Sequence, residues 1–337
     1  MKQILPPEWA PQWGVMLTWP QPDGDFADVF AEVEQNFIGI VAAIARFERV
    51  LIGHHGDPAK LQKRLAAAGV LPSKLHIVDL PSNDVWARDH GPITVLRGGK
   101  PLHLDFQFNG WGGKFDASLD NEVTQRLVQD GALPAPIESV DFILEGGGIE
   151  VDGHGTLLTT ERCLLAPTRN PRFGKADIEG KLKNWFGLTR VLWLKYGDLM
   201  GDDTDGHIDT IARFCDAGTI AYQACDDRAD AHYEDLRAMA EELTAFRRSD
   251  GRPYQLIPLP LPKPIHDRHG KRLPAGYANF LIVNRAVLVP TYGDENDAVA
   301  LKRLQPAFRD RAVIGVDCRA LINQYGSLHC VTMQIPQ

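Results

Sequence analysis

The chain has 337 residues, enough for about two average domains or one large one. Its 44% hydrophobic and 24% charged residues exclude wholesale disorder. With 44 acidic against 36 basic residues the net charge is −8, which argues against a nucleic-acid or anionic-membrane partner.

Read from its start, MKQILPPEWAPQWG is broken by prolines, a glutamate and tryptophans, with no apolar signal core. No later run nears the roughly 18 apolar residues of a membrane span, so a cytoplasmic protein is expected. GVMLTW (14–19) reads as a strand. Phe26, Phe30, Val33, Phe37, Ile40, Val41 and Ile44 then recur at helical spacing on one face, with Asp25 as a candidate N-cap. Residues 49–53 read as a buried strand, 60–68 as a short helix, and KLHIVDL as the next strand. Hairpins are expected from 155–160 with 163–166, and from 280–284 with 287–290. A charged helix over 229–246 separates strands at 219–223 and 254–260, and another helix spans 296–304. The basic, proline-rich stretch 258–274 reads as a surface loop. This strand, strand, helix, strand order has no composition break, so one domain over 1–337 is the expectation.

Several apparent signatures fail. GWGGK lacks the first P-loop glycine, whose place is taken by Phe108. GDDTDG has Gly201 where a calcium loop needs its first ligand and Ala212 where it needs the closing glutamate. His266 and His269 share the proline-rich loop without a third ligand nearby, which fits a solvated pair. Five scattered cysteines with no C-x-x-C pair exclude a disulfide scaffold, argue against a thiolate zinc site, and suit a reducing compartment.

Four stretches stand apart from ordinary core. DVWARDHGP puts Asp89 ahead of a Gly-Pro turn, where it either enters a cleft or makes a surface ion pair. LEGGGIE sets Glu145 before three glycines, a pattern for close backbone approach or for a plain glycine turn. In GDDTDGHIDT an extended chain would turn His207 and Asp209 to one face, either as an acid/base pair or as a structural one. YGSLHCVT places Cys330 after a turn, at the start of the final strand, while the other four cysteines read as inert core. One thiol, one imidazole and three carboxylates suit a cationic substrate better than a peptide. A guanidinium presents five N–H donors in a planar fork that carboxylates can match.

Together W-A-R-D-x-G-P, E-G-G-G-I-E-x-D-G-x-G, D-T-D-G-H-I-D and L-H-C-V-T resemble the agmatine deiminase family. That group includes the Porphyromonas-type peptidyl-arginine deiminases, within the guanidino-modifying superfamily. LTWP, FNGWGG and ANFLIVN extend the likeness over nearly the whole chain. The resemblance implies an α/β fold, a five-bladed propeller of ββαβ units around a pseudo-fivefold axis. It also implies Cys330 as nucleophile, His207 as general acid/base, Asp89 and Asp209 on the guanidinium, and Glu145 as a supporting acid. Trp86 would line the substrate channel, and Gly147 would lie in the glycine turn against the substrate.

Three positions depart from many relatives: Gly148 for Ser or Asn, Thr210 for Asn, and Ser327 for Asn. The expected reaction converts agmatine and water to N-carbamoylputrescine and ammonia, with no metal or cofactor. The partner would be a small cationic guanidine. The acidic run Asp202, Asp203 and Asp205 is a candidate for its distal ammonium, with a solvated acidic turn as the alternative. Arginine or peptidyl-arginine deimination, a non-catalytic guanidine binder, and a homo-oligomer stay open.

Overall fold

The computed structural model describes residues 3–337. One local unit recurs five times: two antiparallel strands, a helix, and a third strand parallel to the second. Ile93–Arg97, Lys100–Gln107, the helix Val123–Gln129 and Ile137–Ile143 make one such unit. Glu150–Val151, Thr156–Thr160, Lys175–Phe186 and Arg190–Leu194 make the next. Ala212–Asp216, Thr219–Gln223, Tyr233–Ala245 and Gln255–Leu259 follow. Leu281–Val283, Ala286–Thr291, Asn296–Leu304 and Ala312–Asp317 complete a fourth.

The fifth unit is assembled from both ends of the chain. The terminal strand Met333–Pro336 pairs antiparallel with Gln12–Thr18, which pairs parallel with Arg49–His54 after the helix Phe30–Ala45. Leu75–Asp79 is added outside it. A parallel strand under a crossover helix is covered on both faces, hence the unbroken apolar run Val50, Leu51, Ile52, all fully buried. Five of the seven stripe residues, Val33, Phe37, Ile40, Val41 and Ile44, are buried in this helix, while Phe30 opens it half-buried and Phe26 lies ahead of it. Among the described residues no helix is long and apolar enough to cross a membrane.

Most expected elements are present within a few residues, and the hairpin at 280–290 forms. Four local expectations need correction. The first long helix starts at Phe30 after a 3-10 turn, Ala27–Val29, so Asp25 caps nothing there. Residues 163–166 form no hairpin partner. The Thr160 hydroxyl accepts from the Cys163 amide at 3.2 Å and starts a helical turn, Glu161–Leu164, while Thr156–Thr160 pairs with Glu150–Val151 and Arg190–Leu194.

The other two corrections concern the site itself. Ile208–Thr210 is a 3-10 turn and the strand begins only at Ala212, so the alternation of an extended chain does not govern His207 and Asp209. The Thr210 hydroxyl donates to the His207 carbonyl at 2.8 Å and holds that turn. Likewise Cys330 precedes the final strand, in a turn where the Thr332 hydroxyl bonds the carbonyls of Leu328 and His329, each at 3.1 Å. These hydroxyls compete locally with strand geometry, which is why both segments curl.

Candidate active site

Loops that lead into the repeated units bring Trp86, Asp89, Asp203 and Cys330, four of the singled-out residues, together on one cleft of about 400 Å³. Asp25, Asp84, Trp86, Asp89, Trp111, Phe115, Asp203, Tyr325 and Cys330 are among its walls. Cys330 stands at its floor. The Asn279 amide donates to the Cys330 sulfur at 3.3 Å, and Asp209 Oδ2 lies 3.9 Å from that sulfur. Burial, reinforced by the Asp209 and Asp89 carboxylates, holds the thiol pKa well above its ordinary value. In the free protein Cys330 is therefore a thiol.

Asp89 sits in a short helical turn, Ala87–His90, and is gripped on both oxygens. The Trp111 indole donates to Oδ2 and the Gly147 amide to Oδ1, each at 3.0 Å. Burial pushes its pKa up to about 6, against the pull of His207. His207 Nδ1 lies 3.6 Å from Asp89 Oδ1. Burial disfavours a charged His207 ring, but Asp89, then Cys163 and Glu145, outweigh it and hold its pKa well above the imidazole norm. Gly147 is where a side chain has no room: a Cβ there would stand 2.5 Å from His207 Nδ1 and 2.8 Å from Asp89 Oδ1. The close approach expected of the glycine run is thus to Asp89 and His207. Gly326 plays a similar part at the rim, with Trp86 packed where its Cβ would be.

Other candidates lie behind the cleft. Glu145 is fully buried and both its oxygens accept from Arg169 Nε, at 2.9 and 3.0 Å. Arg169 also binds Asp205 at 2.7 Å, and Lys114 holds the other Asp205 oxygen at 2.8 Å. The Asp205 carboxylate is thereby occupied, whereas Asp203 lines the cleft with its pKa raised by burial to about 6. Asp202 is spent on its own loop, accepting from the amides of Thr204 and Gly206.

His207 and Asp209 do not touch as a pair. Asp209 is bonded instead by His329, whose other nitrogen meets Glu8; both contacts are 2.7 Å. Arg213 continues this buried chain from Glu8 to Glu150 at 2.7 and 2.8 Å. Burial works against the Asp209 charge, but His329 outweighs it and keeps the carboxyl below its ordinary range. Ser327 Oγ is 2.9 Å from the Tyr292 hydroxyl, so this departure retains a buried partner. The two loop histidines, His266 and His269, are exposed.

Reading the sequence alone did not single out Asn279, Trp111, Arg169, Glu8 or Cys163 as site residues. Asn279 and Trp111 lie inside the ANFLIVN and FNGWGG segments, which gave a signal. Arg169 and Glu8 had none.

A family model described as Porphyromonas-type peptidyl-arginine deiminase matches residues 4–336. The chain belongs to this family. An agmatine deiminase structure from C. jejuni is 38% identical with a TM-score of 0.90, covering 100% of this chain and 97% of that one. The agmatine deiminase of Enterococcus faecalis is 31% identical with a TM-score of 0.89, covering 100% and 96%. A Porphyromonas gingivalis chain put forward as an arginine deiminase is 51% identical with a TM-score of 0.92, covering 100% and 99%. The mixed α/β fold of the family is therefore shared over the full length.

Proposed function

We propose that this protein is an agmatine deiminase, hydrolysing agmatine and water to N-carbamoylputrescine and ammonia. The observation that carries the reading is the charge of the cleft. Cys330 and Asp89 are joined there by Asp25, Asp84 and Asp203, and among the described residues no basic one is in its walls. That lining suits a cation with a charge at each end. In the same reading the five repeated units are blades around a pseudo-fivefold axis, forming one domain over 1–337 of a cytoplasmic enzyme.

Asp89 and Asp209 orient the guanidinium by accepting its N–H groups. The arriving cation offsets the two carboxylates that oppose Cys330 ionisation, so with substrate in place the thiol gives its proton to solvent and the thiolate forms. It attacks the guanidinium carbon, making a C–S bond. His207 delivers its proton to the departing nitrogen, ammonia leaves, and an S-alkylthiouronium remains on Cys330. His207 then takes a proton from water, whose oxygen attacks the same carbon. The C–S bond breaks, the departing sulfur takes the remaining proton of that water, and the ureido product and free thiol result. Trp86 and Trp111 wall the alkyl chain, and Asp203 is the acid we assign to the distal ammonium, in preference to the occupied Asp205. Glu145 acts from behind as a fixed charge near His207. No cofactor enters this chemistry.

Incubation with agmatine should release ammonia and the ureido product, and Cys330→Ser should abolish turnover while leaving agmatine binding intact. Ammonia release by that variant at the unaltered rate would sink the mechanism. The likeness to the P. gingivalis chain favours one second reading, deimination of arginine. Comparison of kcat/KM for agmatine, arginine and an arginyl peptide separates the two.

A further inference from the structure

Cys163 is not the inert core thiol that a scattered cysteine usually is. The Thr160 cap turns it inward from Glu161–Leu164, and its sulfur, a Glu145 oxygen and a His207 ring nitrogen all lie within 4.8 Å of one another. All three residues are buried. His207 is the telling member. Neither of its ring nitrogens has a hydrogen-bond partner among the described residues, in a side chain that is 1% exposed. A buried imidazole of that kind is ordinarily satisfied.

We propose that Glu145, Cys163 and His207 form a binding site for a thiophilic divalent cation, Zn²⁺ or Cd²⁺, that silences the deiminase centre. The donor set is one sulfur, one nitrogen and one oxygen, which suits these ions and leaves a fourth position for water. The charge of Glu145 already balances Arg169, so the Cys163 thiolate and the Asp89 carboxylate beside His207 supply the compensation that a buried cation requires. Closing from 4.8 Å to the separations of a tetrahedral shell needs only small side-chain shifts.

The ring geometry fits as well. Nδ1 faces Asp89 at 3.6 Å, the outer carboxylate that commonly orients a metal-bound imidazole. Cys163 and His207 border one space: a Cβ on Gly148 would lie 3.2 Å from Cys163 Sγ and 4.0 Å from His207 Cδ2. Glu145 keeps Arg169 on one side, and each oxygen retains a second lone pair for the cation. Binding displaces the proton of the Cys163 thiol, and that of His207 when the ring carries both, to solvent. The inhibitory effect rests on the reading of His207 as acid/base; the binding does not.

The test uses the full chain carrying Cys330→Ser, so that the nucleophile cannot contribute a thiolate. Titration with Cd²⁺ should raise the ultraviolet thiolate-to-cadmium charge-transfer band to one equivalent. Adding Cys163→Ser should abolish the band, and the same titration followed by calorimetry should show binding weakened by more than about tenfold. An unchanged titration would overturn the site. Should Cys163→Ser fail to fold, anomalous scattering from Cd²⁺-soaked crystals of the unaltered chain decides alone. The peak must lie between the three donors, and a peak elsewhere overturns the proposal. With Cys330 present, Cys163→Ser should need more than about tenfold more Zn²⁺ for half-inhibition of its own rate. Equal sensitivity counts against silencing through Cys163. A chain that binds Cd²⁺ here yet turns over neither agmatine nor arginine would refute the deiminase reading and leave this site standing.

Discussion

Asp209 is tied to His329 at 2.7 Å, not to His207 two residues before it. His329 is in turn the neighbour of Cys330, and its far nitrogen is held by Glu8, also at 2.7 Å. The residue next to Cys330 thus fixes a carboxylate that lies 3.9 Å from the Cys330 sulfur.

Removal of that link should cost both stability and rate. His329→Asn leaves two buried carboxylates without their bridge, an arrangement that costs about 3 kcal/mol when one partner of a buried pair is lost. Because Asp209 is then free to shift, kcat should fall by roughly 100-fold. Denaturant unfolding and steady-state kinetics check the two halves. A normal kcat in a destabilised protein would reduce the link to a structural brace.

Gly147→Ala is the sharpest steric probe. The new methyl would press on His207 Nδ1 and Asp89 Oδ1 at 2.5 and 2.8 Å, separating the base from the acid it faces. Overpacking of this size costs about 1–3 kcal/mol, while kcat/KM should drop by at least about 100-fold. Kinetics beside a thermal melt will show whether activity is lost far ahead of folding.

Substrate binding should release protons. Burial pushes the Asp84 pKa up to about 8, so at pH 7 the free protein holds it mostly protonated. A cation in the cleft favours the ionised form and drives its pKa down through neutrality. Binding of agmatine to Cys330→Ser at pH 7 should therefore release protons, and the release should fade above about pH 9, where Asp84 is already ionised. Calorimetry in buffers of different ionisation heat reads the number. Asp84→Asn should abolish most of it, and unchanged release would acquit this residue.

Arg169 is predicted to be a structural cation. Arg169→Met strands Glu145, fully buried and otherwise paired on both oxygens, at a cost of about 3–5 kcal/mol. The double variant with Glu145→Gln should regain part of that loss, because no charge is then left unpaired. A double-mutant cycle on unfolding free energies measures the coupling; strict additivity would contradict the pair.

The residue order of this chain determined the repeating strand and helix pattern, because apolar periodicity follows directly from local backbone geometry. It also marked Cys330, His207, Asp89, Asp209 and Glu145, since a reactive group beside a turn or glycine run stands out in one short segment. What it could not decide was pairing. His207 and Asp209, neighbours by number, are parted by a 3-10 turn, and Asp209 meets a histidine 120 residues away. Asp203 and Asp205, one residue apart from equivalence, are sorted by Arg169 and Lys114 into one carboxylate on the cleft and one in ion pairs. Such contacts join separate sheets, so packing selects them. Even the fifth sheet exists only once the two ends of the chain have met.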